Sequence, residues 1–267
     1  MTPFAPSKLA PSMPAPSMLD RGDGIRLAYI STPGSGPTVV FLHGLMSDME
    51  GGKALALEAS CKQRGQAFLR LDCSGHGKSD GKFTDGTISR WRDDVLTLLD
   101  SVTTGPLVLV GSSMGGWLAL LAAKARPERV KGLVLLAAAP DFTDWGMYAD
   151  FTPEQRAALE RDGQVEIPSE YGPDPYIYTK ALIDDGSANR LLAGPIAFDG
   201  PVRLLQGQQD PDVPWEIALK IAEKLTTPNV RLHLVKDGDH RLSRPEDLDL
   251  LCAVVGELTA TLTTTAN

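Results

Sequence analysis

Cysteine is scarce: 267 residues contain three, Cys61, Cys73 and Cys252. An odd number with no close pair supplies neither a disulfide framework nor a zinc knuckle, and suits free thiols in a reducing compartment. Long apolar runs are missing as well. No stretch approaches the ~18 uninterrupted apolar residues of a membrane span, so stable membrane insertion is not expected. Nor is there an excess of cations: Lys and Arg total 26 against 34 Asp and Glu, for a net charge of −8. That is the wrong sign for a phosphate-binding surface, so nucleic acid is not an expected partner. Histidine is limited to four positions, His43, His76, His233 and His240, and any imidazole chemistry must be found among them.

The rest of the composition is that of a globular chain, with 42% hydrophobic and 22% charged residues, long enough to bury a large core without staples. Five prolines within residues 1–19 and no apolar run suited to a secretory signal predict a disordered tail there. The first arginine is Arg21, too late for an Arg-rich transit peptide, so the residues by themselves favour the cytoplasm. After the tail, Thr38–Leu42, Ala67–Leu71, Leu107–Val110, Gly132–Leu136 and Val202–Leu205 read as buried strands, and Val230–Val235 as a strand nearer an edge. Helical spacing spans Lys53–Arg64 with Gly65 as cap, Thr87–Val102 behind a Thr87 N-cap, Met114–Ala125, Trp215–Leu225 and Pro245–Leu258. This alternation predicts an α/β fold with a mostly parallel, doubly wound sheet.

Residues 141–201 break the alternation. They show no sheet-type run, yet hold eight of the sixteen aromatics: Phe142, Trp145, Tyr148, Phe151, Tyr171, Tyr176, Tyr178 and Phe198. They are read as a lid inserted into a core made of 20–140 and 202–267, the alternative being a surface excursion held down by its own aromatics.

G-x-S-x-G occurs twice. Gly111-Ser112-Ser113-Met114-Gly115 follows the strand LVLV and opens the helix WLALLAAKA, the strand–turn–helix setting of a nucleophile elbow. Gly77-Lys78-Ser79-Asp80-Gly81 has no helix after it, so Ser79 is read as a decoy. The neighbouring P-loop near miss has Asp72 where glycine is required, which rejects nucleotide binding. A serine nucleophile needs a base. His233 sits within a strand, and His43 and His76 are placed to shape loops, which leaves His240 in the loop after the last strand, where α/β sites collect. Asp210 and Asp212 follow Val202–Leu205 and are candidates to orient that imidazole, with Asp210 nearer the strand. Backbone N–H groups of Met114 and Leu45 are the candidate oxyanion donors.

His43-Gly44 after a strand, D-x-S-G-H-G-x-S over 72–79, the elbow at Ser113, Gly207-x-x-Asp210 and the late His240 make the chain resemble the serine α/β-hydrolase superfamily from about Asp20 onward. Within it, FLHGLMSDMEGGKALALE, Ser89–Val95, Val110–Trp117, Asp210 with Val213-Pro214-Trp215, and Asp239-His240-Arg241 are similar to the mitochondrial palmitoyl-protein thioesterases that also cleave acyl-glucuronides. The resemblance implies an α/β-hydrolase fold and hydrolysis of acyl thioesters and esters by Ser113, His240 and Asp210, with neither metal nor cofactor. Its implied partner is a small acyl ester or thioester, or an acylated protein, and its implied compartment is mitochondrial. Serine at the elbow disfavours dehalogenase and epoxide hydrolase chemistry, for which the superfamily places Asp there. Two rivals remain: a carbon–carbon bond hydrolase with the same triad, and a catalytically silent receptor of hydrolase fold.

Overall fold

The structure is a computed structural model and describes residues 14–168 and 175–265. Continuous apolar runs build its central sheet. In β3 (Ser35–Leu42), β5 (Leu107–Ser112) and β6 (Val130–Leu136), even and odd positions are both apolar. Val39, Phe41, Val108 and Val110 therefore fill one core, and Val40, Leu42, Leu107 and Leu109 another. These strands run parallel with β4 (Gln66–Leu71), β9 (Val202–Gly207) and β10 (Val230–Val235). The expected strands are all present, with Val230–Val235 at the edge, in the order β1-β2-β4-β3-β5-β6-β9-β10.

The other edge was not legible. β1 (Ser17–Asp20) and β2 (Arg26–Thr32) add two antiparallel strands. Ser17–Leu19, expected in the disordered tail, belong instead to β1, a correction that follows from pairing: a four-residue strand is defined by its partner, not by its own pattern. Residues 1–13 lie outside the described residues.

Helices cover both faces. α1 (Gly52–Gln63) and α7 (Pro245–Thr265) pack on the Val39 side, while α2 (Ile88–Val102), α3 (Met114–Ala125) and α6 (Glu216–Lys224) pack on the Val40 side. Thr87 caps α2 by accepting from Arg90 N, as expected. α7 runs past the expected Leu258 to Thr265, with Leu262 packed against the sheet-side core. Among the described residues no helix is long and apolar enough to cross a membrane.

Between β6 and β9 lie a π-type turn (Asp144–Tyr148), α4 (Pro153–Asp162), β7 (Gln164–Ile167), β8 (Tyr176–Thr179) and α5 (Lys180–Ala188). The interval read as free of strands thus contains a two-stranded antiparallel sheet of its own. Its strands are four residues each and pair only with one another, too short to show a period in the sequence. Tyr171 lies outside the described residues.

One ionic contact ties three elements, β2, β4 and α1, together. Arg70 of β4, 1% exposed, donates to Glu58 of α1 at 2.9 Å and to the Met49 carbonyl at 3.0 Å, and Thr32 of β2 donates to the second Glu58 oxygen at 2.9 Å. Removing one partner of a buried pair strands the other charge. Glu58→Ala is therefore expected to cost about 3 kcal/mol in urea unfolding. A loss within about 0.5 kcal/mol, the range of ordinary surface changes, would show that Arg70 finds solvent without its partner.

Candidate active site

The turn after β5 is built from close approaches. A Cβ on Gly111 would lie 2.2 Å from the Gly115 carbonyl oxygen, and one on Gly115 would lie 2.1 Å from the Leu42 carbonyl oxygen. Only glycine fits at either place. Between them Ser113 adopts φ 54°, ψ −119°, a conformation that is strained for a residue with a side chain. Its N–H donates to Leu136 O at 2.9 Å, and its carbonyl accepts from Gly116 N at 2.9 Å and Ala139 N at 3.1 Å, so the backbone is held from both sides. α3 begins at the next residue, Met114.

Asp210 and His240 meet at the same carboxyl end of the sheet. Asp210 follows β9 and His240 follows β10; His240 Nδ1 lies 2.9 Å from Asp210 Oδ2. Because an ionised carboxylate only accepts, the proton between them sits on Nδ1, which leaves the lone pair on Nε2. The Asp210 side chain is fully buried and fully used. Oδ1 accepts from the N–H groups of Asp212 (2.9 Å) and Val213 (2.8 Å), and Oδ2 also accepts from Gln206 Nε2 (3.0 Å). Gln206 was missed in the sequence, where a lone amide in the run VRLLQG was its only sign. Asp212 is exposed and contributes its backbone N–H to this arrangement. No hydrogen bond joins Ser113 Oγ to His240 among the described residues; such bonds are often long until substrate binds.

Asp210, Asp212 and His240 offer metal-ligand atoms within 4.8 Å of one another. A cation there would compete with the bond between His240 and Asp210, so the donor set suits the hydrogen-bonded pair better.

The remaining histidines are placed differently. His43, 2% exposed, donates from Nδ1 to Gly44 O at 2.7 Å and accepts at Nε2 from Cys73 N at 3.2 Å, which fixes it as the neutral imidazole. Burial pushes its pKa down, against the pull of the Gly44 carbonyl. His76 sits among the rings of His43 (4.9 Å), Trp91 (5.1 Å) and Phe83 (5.3 Å), and burial pushes it to about 3. His233 lies in β10. Ser79 is likewise committed, since its hydroxyl donates to Asp72 O at 2.7 Å and accepts from Ala28 N at 2.8 Å.

His43 also orients the turn beside Ser113. A Cβ on Gly44 would lie 3.3 Å from Ser113 Cβ, so Gly44 abuts the serine, and its carbonyl oxygen accepts from His43 Nδ1. Among the described residues, neither Leu45 nor Met114 donates a backbone hydrogen bond outside the helices and strands. Nearby, the Asp141 carboxylate, at φ 61°, accepts from Leu191 N and Leu192 N at 2.8 Å each, which joins the start of the 141–201 segment to its far end. Asn189 fastens the segment to α2 through Ser89 and to α3 through Trp117. Tyr148, Phe151, Tyr178 and Tyr176 form a run of ring contacts at 5.8–6.3 Å. Burial pushes the Tyr178 phenol above its ordinary range, with Tyr176 and Asp212 adding to the rise. A hollow of about 1190 Å³ between Pro37, Pro106, Val130, Phe198 and Leu262 is at the opposite end of the sheet and touches none of Ser113, Asp210 or His240.

Residues 35–161 match the family described as serine aminopeptidase, S33. The chain is 41% identical over 249 residues to mouse palmitoyl-protein thioesterase ABHD10, mitochondrial, covering 93% of this chain and 84% of that protein. The solved structure of mouse α/β hydrolase domain-containing protein 10 is similar with a TM-score of 0.86 at 40% identity, covering 93% of this chain and all of that one. A crystal structure from Agrobacterium vitis S4 has a TM-score of 0.88 at 42% identity over 92% of this chain and all of that one.

The two G-x-S-x-G serines separate experimentally. Ser79→Ala removes a hydroxyl that satisfies two buried backbone groups, so it is expected to cost about 1–3 kcal/mol of stability. Labelling by a fluorophosphonate should persist in it; a folded Ser79→Ala protein that no longer labels would make Ser79 the reactive serine.

Proposed function

Because the chain belongs to the palmitoyl-protein thioesterase ABHD10 family of α/β-hydrolases, we propose that it hydrolyses acyl thioesters and esters through an acyl-enzyme on Ser113. The observation that carries this reading is the bond between His240 and Asp210, which directs a lone pair from Nε2 at the sheet end that also bears the Ser113 elbow. His240 accepts the Ser113 proton as Oγ attacks the acyl carbon, and Asp210 stabilises the imidazolium. The N–H groups of Met114 and Leu45 receive the developing oxyanion. Collapse of the intermediate breaks the bond to the thiolate or alkoxide, which leaves with the proton from His240. Water, deprotonated by the same imidazole, then attacks the acyl-enzyme and releases the carboxylic acid.

Residues 141–201 act as the lid over this site, on a core of 20–140 and 202–267, and present apolar surface to the acyl chain. Their cations favour that role over recognition of an anionic leaving group. Arg156 donates to the Tyr148 and Ala149 carbonyls, Arg161 pairs with Asp162, Lys180 with Glu160 and Asp184, and Arg190 with Asp144. All four are engaged within the segment. The substrates are acyl esters or thioesters, with S-acylated protein as the class suggested by the name of the mouse relative. That name also supports the mitochondrial compartment over the cytoplasm, and the three free thiols suit such a reducing interior.

Ser113→Ala should lose turnover and fluorophosphonate labelling with its thermal unfolding unchanged. Asp210→Asn should lower kcat about 10⁴-fold, as when an imidazole loses its orienting carboxylate, while Asp212→Asn should change it little. A larger loss from Asp212→Asn would exchange the two assignments.

Each methylene buried by the lid is worth roughly 0.8 kcal/mol, about fourfold in kcat/KM. A straight-chain acyl series with one leaving group should therefore rise with length until the pocket fills, and Phe151→Ala or Tyr178→Ala should flatten the rise. A series independent of length in all three proteins would reduce the segment to a surface excursion.

A further inference from the structure

Lys53 occupies a position that its helix disfavours. It is the second residue of α1, where the positive end of the macrodipole repels a cation, and that first turn contains no acidic residue. Its ammonium is turned instead to the loop after β10, where it donates to the Arg241 carbonyl at 2.5 Å. The charged groups that face it are Asp239 and Arg241 of this loop and Asp247 in the first turn of α7.

We infer that Lys53 is a positioning residue for His240: by holding the carbonyl of the next residue, its ammonium fixes where the imidazole stands relative to Ser113. The inference rests on the hydrolase reading above. Other restraints act on the flanks of the loop. Gln209 N donates to Gly238 O at 2.9 Å, Asp239 Oδ1 accepts from Leu242 N at 2.9 Å, and Leu242 is buried in the core at φ 42°. Lys53 adds a tie from a different element, α1, directly beside the base.

Burial pushes the Lys53 amine down to about 8, opposed by Asp239 and Asp247 and reinforced by Arg241. The group is charged below that value and neutral above it. A charged donor makes the stronger bond, so the tie is firm at neutral pH and slackens as pH rises through about 8. The pH profile of acylation should then carry an alkaline limb from Lys53.

The test is the rate of Ser113 labelling by a fluorophosphonate, together with kcat and KM for a thioester, from about pH 5 to 10, a span that brackets histidine and lysine titration. Lys53→Met is expected to lose the alkaline limb and to lower labelling and kcat about tenfold, the size of one charge-assisted hydrogen bond in positioning. KM should change little, and thermal unfolding should hold or rise, because a cation leaves the helix N-terminus. Lys53→Arg keeps the charge over the whole range, so it should recover the rate and carry the limb out of view. A folded Lys53→Met protein with wild-type rate and limb overturns the inference, as does a Lys53→Arg protein whose limb stays near 8. If Lys53→Met does not fold, Lys53→Arg decides alone. Residual turnover in Ser113→Ala would instead remove the hydrolase reading, whatever the Lys53 variants do.

Discussion

The carboxyl end of the sheet is arranged around the tight packing of the turn after β5 against its neighbours. Gly111 and Gly115 leave no room for a Cβ, and the atom nearest to Gly115 is the carbonyl oxygen of Leu42, the last residue of β3. Because Leu42 pairs in register with Gly111, the start of α3 is pressed against the place where β3 turns into His43-Gly44-Leu45. One constraint thus lifts Ser113 into its strained conformation and brings the 44–45 turn beside it. Strain of this kind costs about 1–3 kcal/mol. It is offset by burial of α3, whose residues from Met114 to Ala123 are all inside.

Burial also sorts the histidines. His43 and His76 lie in the interior, where desolvation holds them neutral; both ring nitrogens of His43 have backbone partners, and His76 packs against the rings of Trp91 and Phe83. They act as rigid packing elements that happen to be polar. His240 instead keeps part of its side chain in contact with solvent, and its partner Asp210 is completely enclosed. An enclosed carboxylate with four hydrogen-bond donors cannot swing away, so the imidazole inherits its orientation from the β9 loop.

Much of this was legible in the sequence, for reasons that differ by element. The parallel strands could be read because burial on both faces demands continuous apolar runs such as TVVFL and LVLV, and the elbow because its glycines are forced by contact rather than by preference. β1, β2, β7 and β8 could not. Each is short or mixed in character and is defined by the strand it pairs with, and β2 depends besides on residues distant in sequence: it pairs with β4, and its Ala28 donates to Ser79, 51 residues away. The same limit applies around the site. Ser113, Asp210 and His240 stand at strand ends that the pattern reveals, whereas Gln206 and Lys53 reach it from a strand interior and from a helix 188 residues before Arg241. Sequence spacing carries information about local geometry; these contacts are made only when the sheet is assembled.

The segment between β6 and β9 is tied to the core at one part and packed on itself at another. Its fixed part is the clasp at its base, where Asp141 holds Leu191 and Leu192, and the side of α5 that Asn189 fastens to α2 and α3. Its aromatic run, from Tyr148 to Tyr176, is held by ring contacts within the segment itself. Ring contacts are worth only about 0.5–1.5 kcal/mol each beyond the area they bury, so the aromatic part can be repacked without disturbing the clasp. Ser113, Asp210 and His240, by contrast, are fixed by backbone contacts and buried hydrogen bonds of the core, none of which comes from residues 141–201 among those described for the Asp210–His240 pair. On the proposed reading, the acyl group accepted changes with the ring run alone, while the elbow and the hydrogen-bonded Asp210–His240 pair at the strand ends stay as they are.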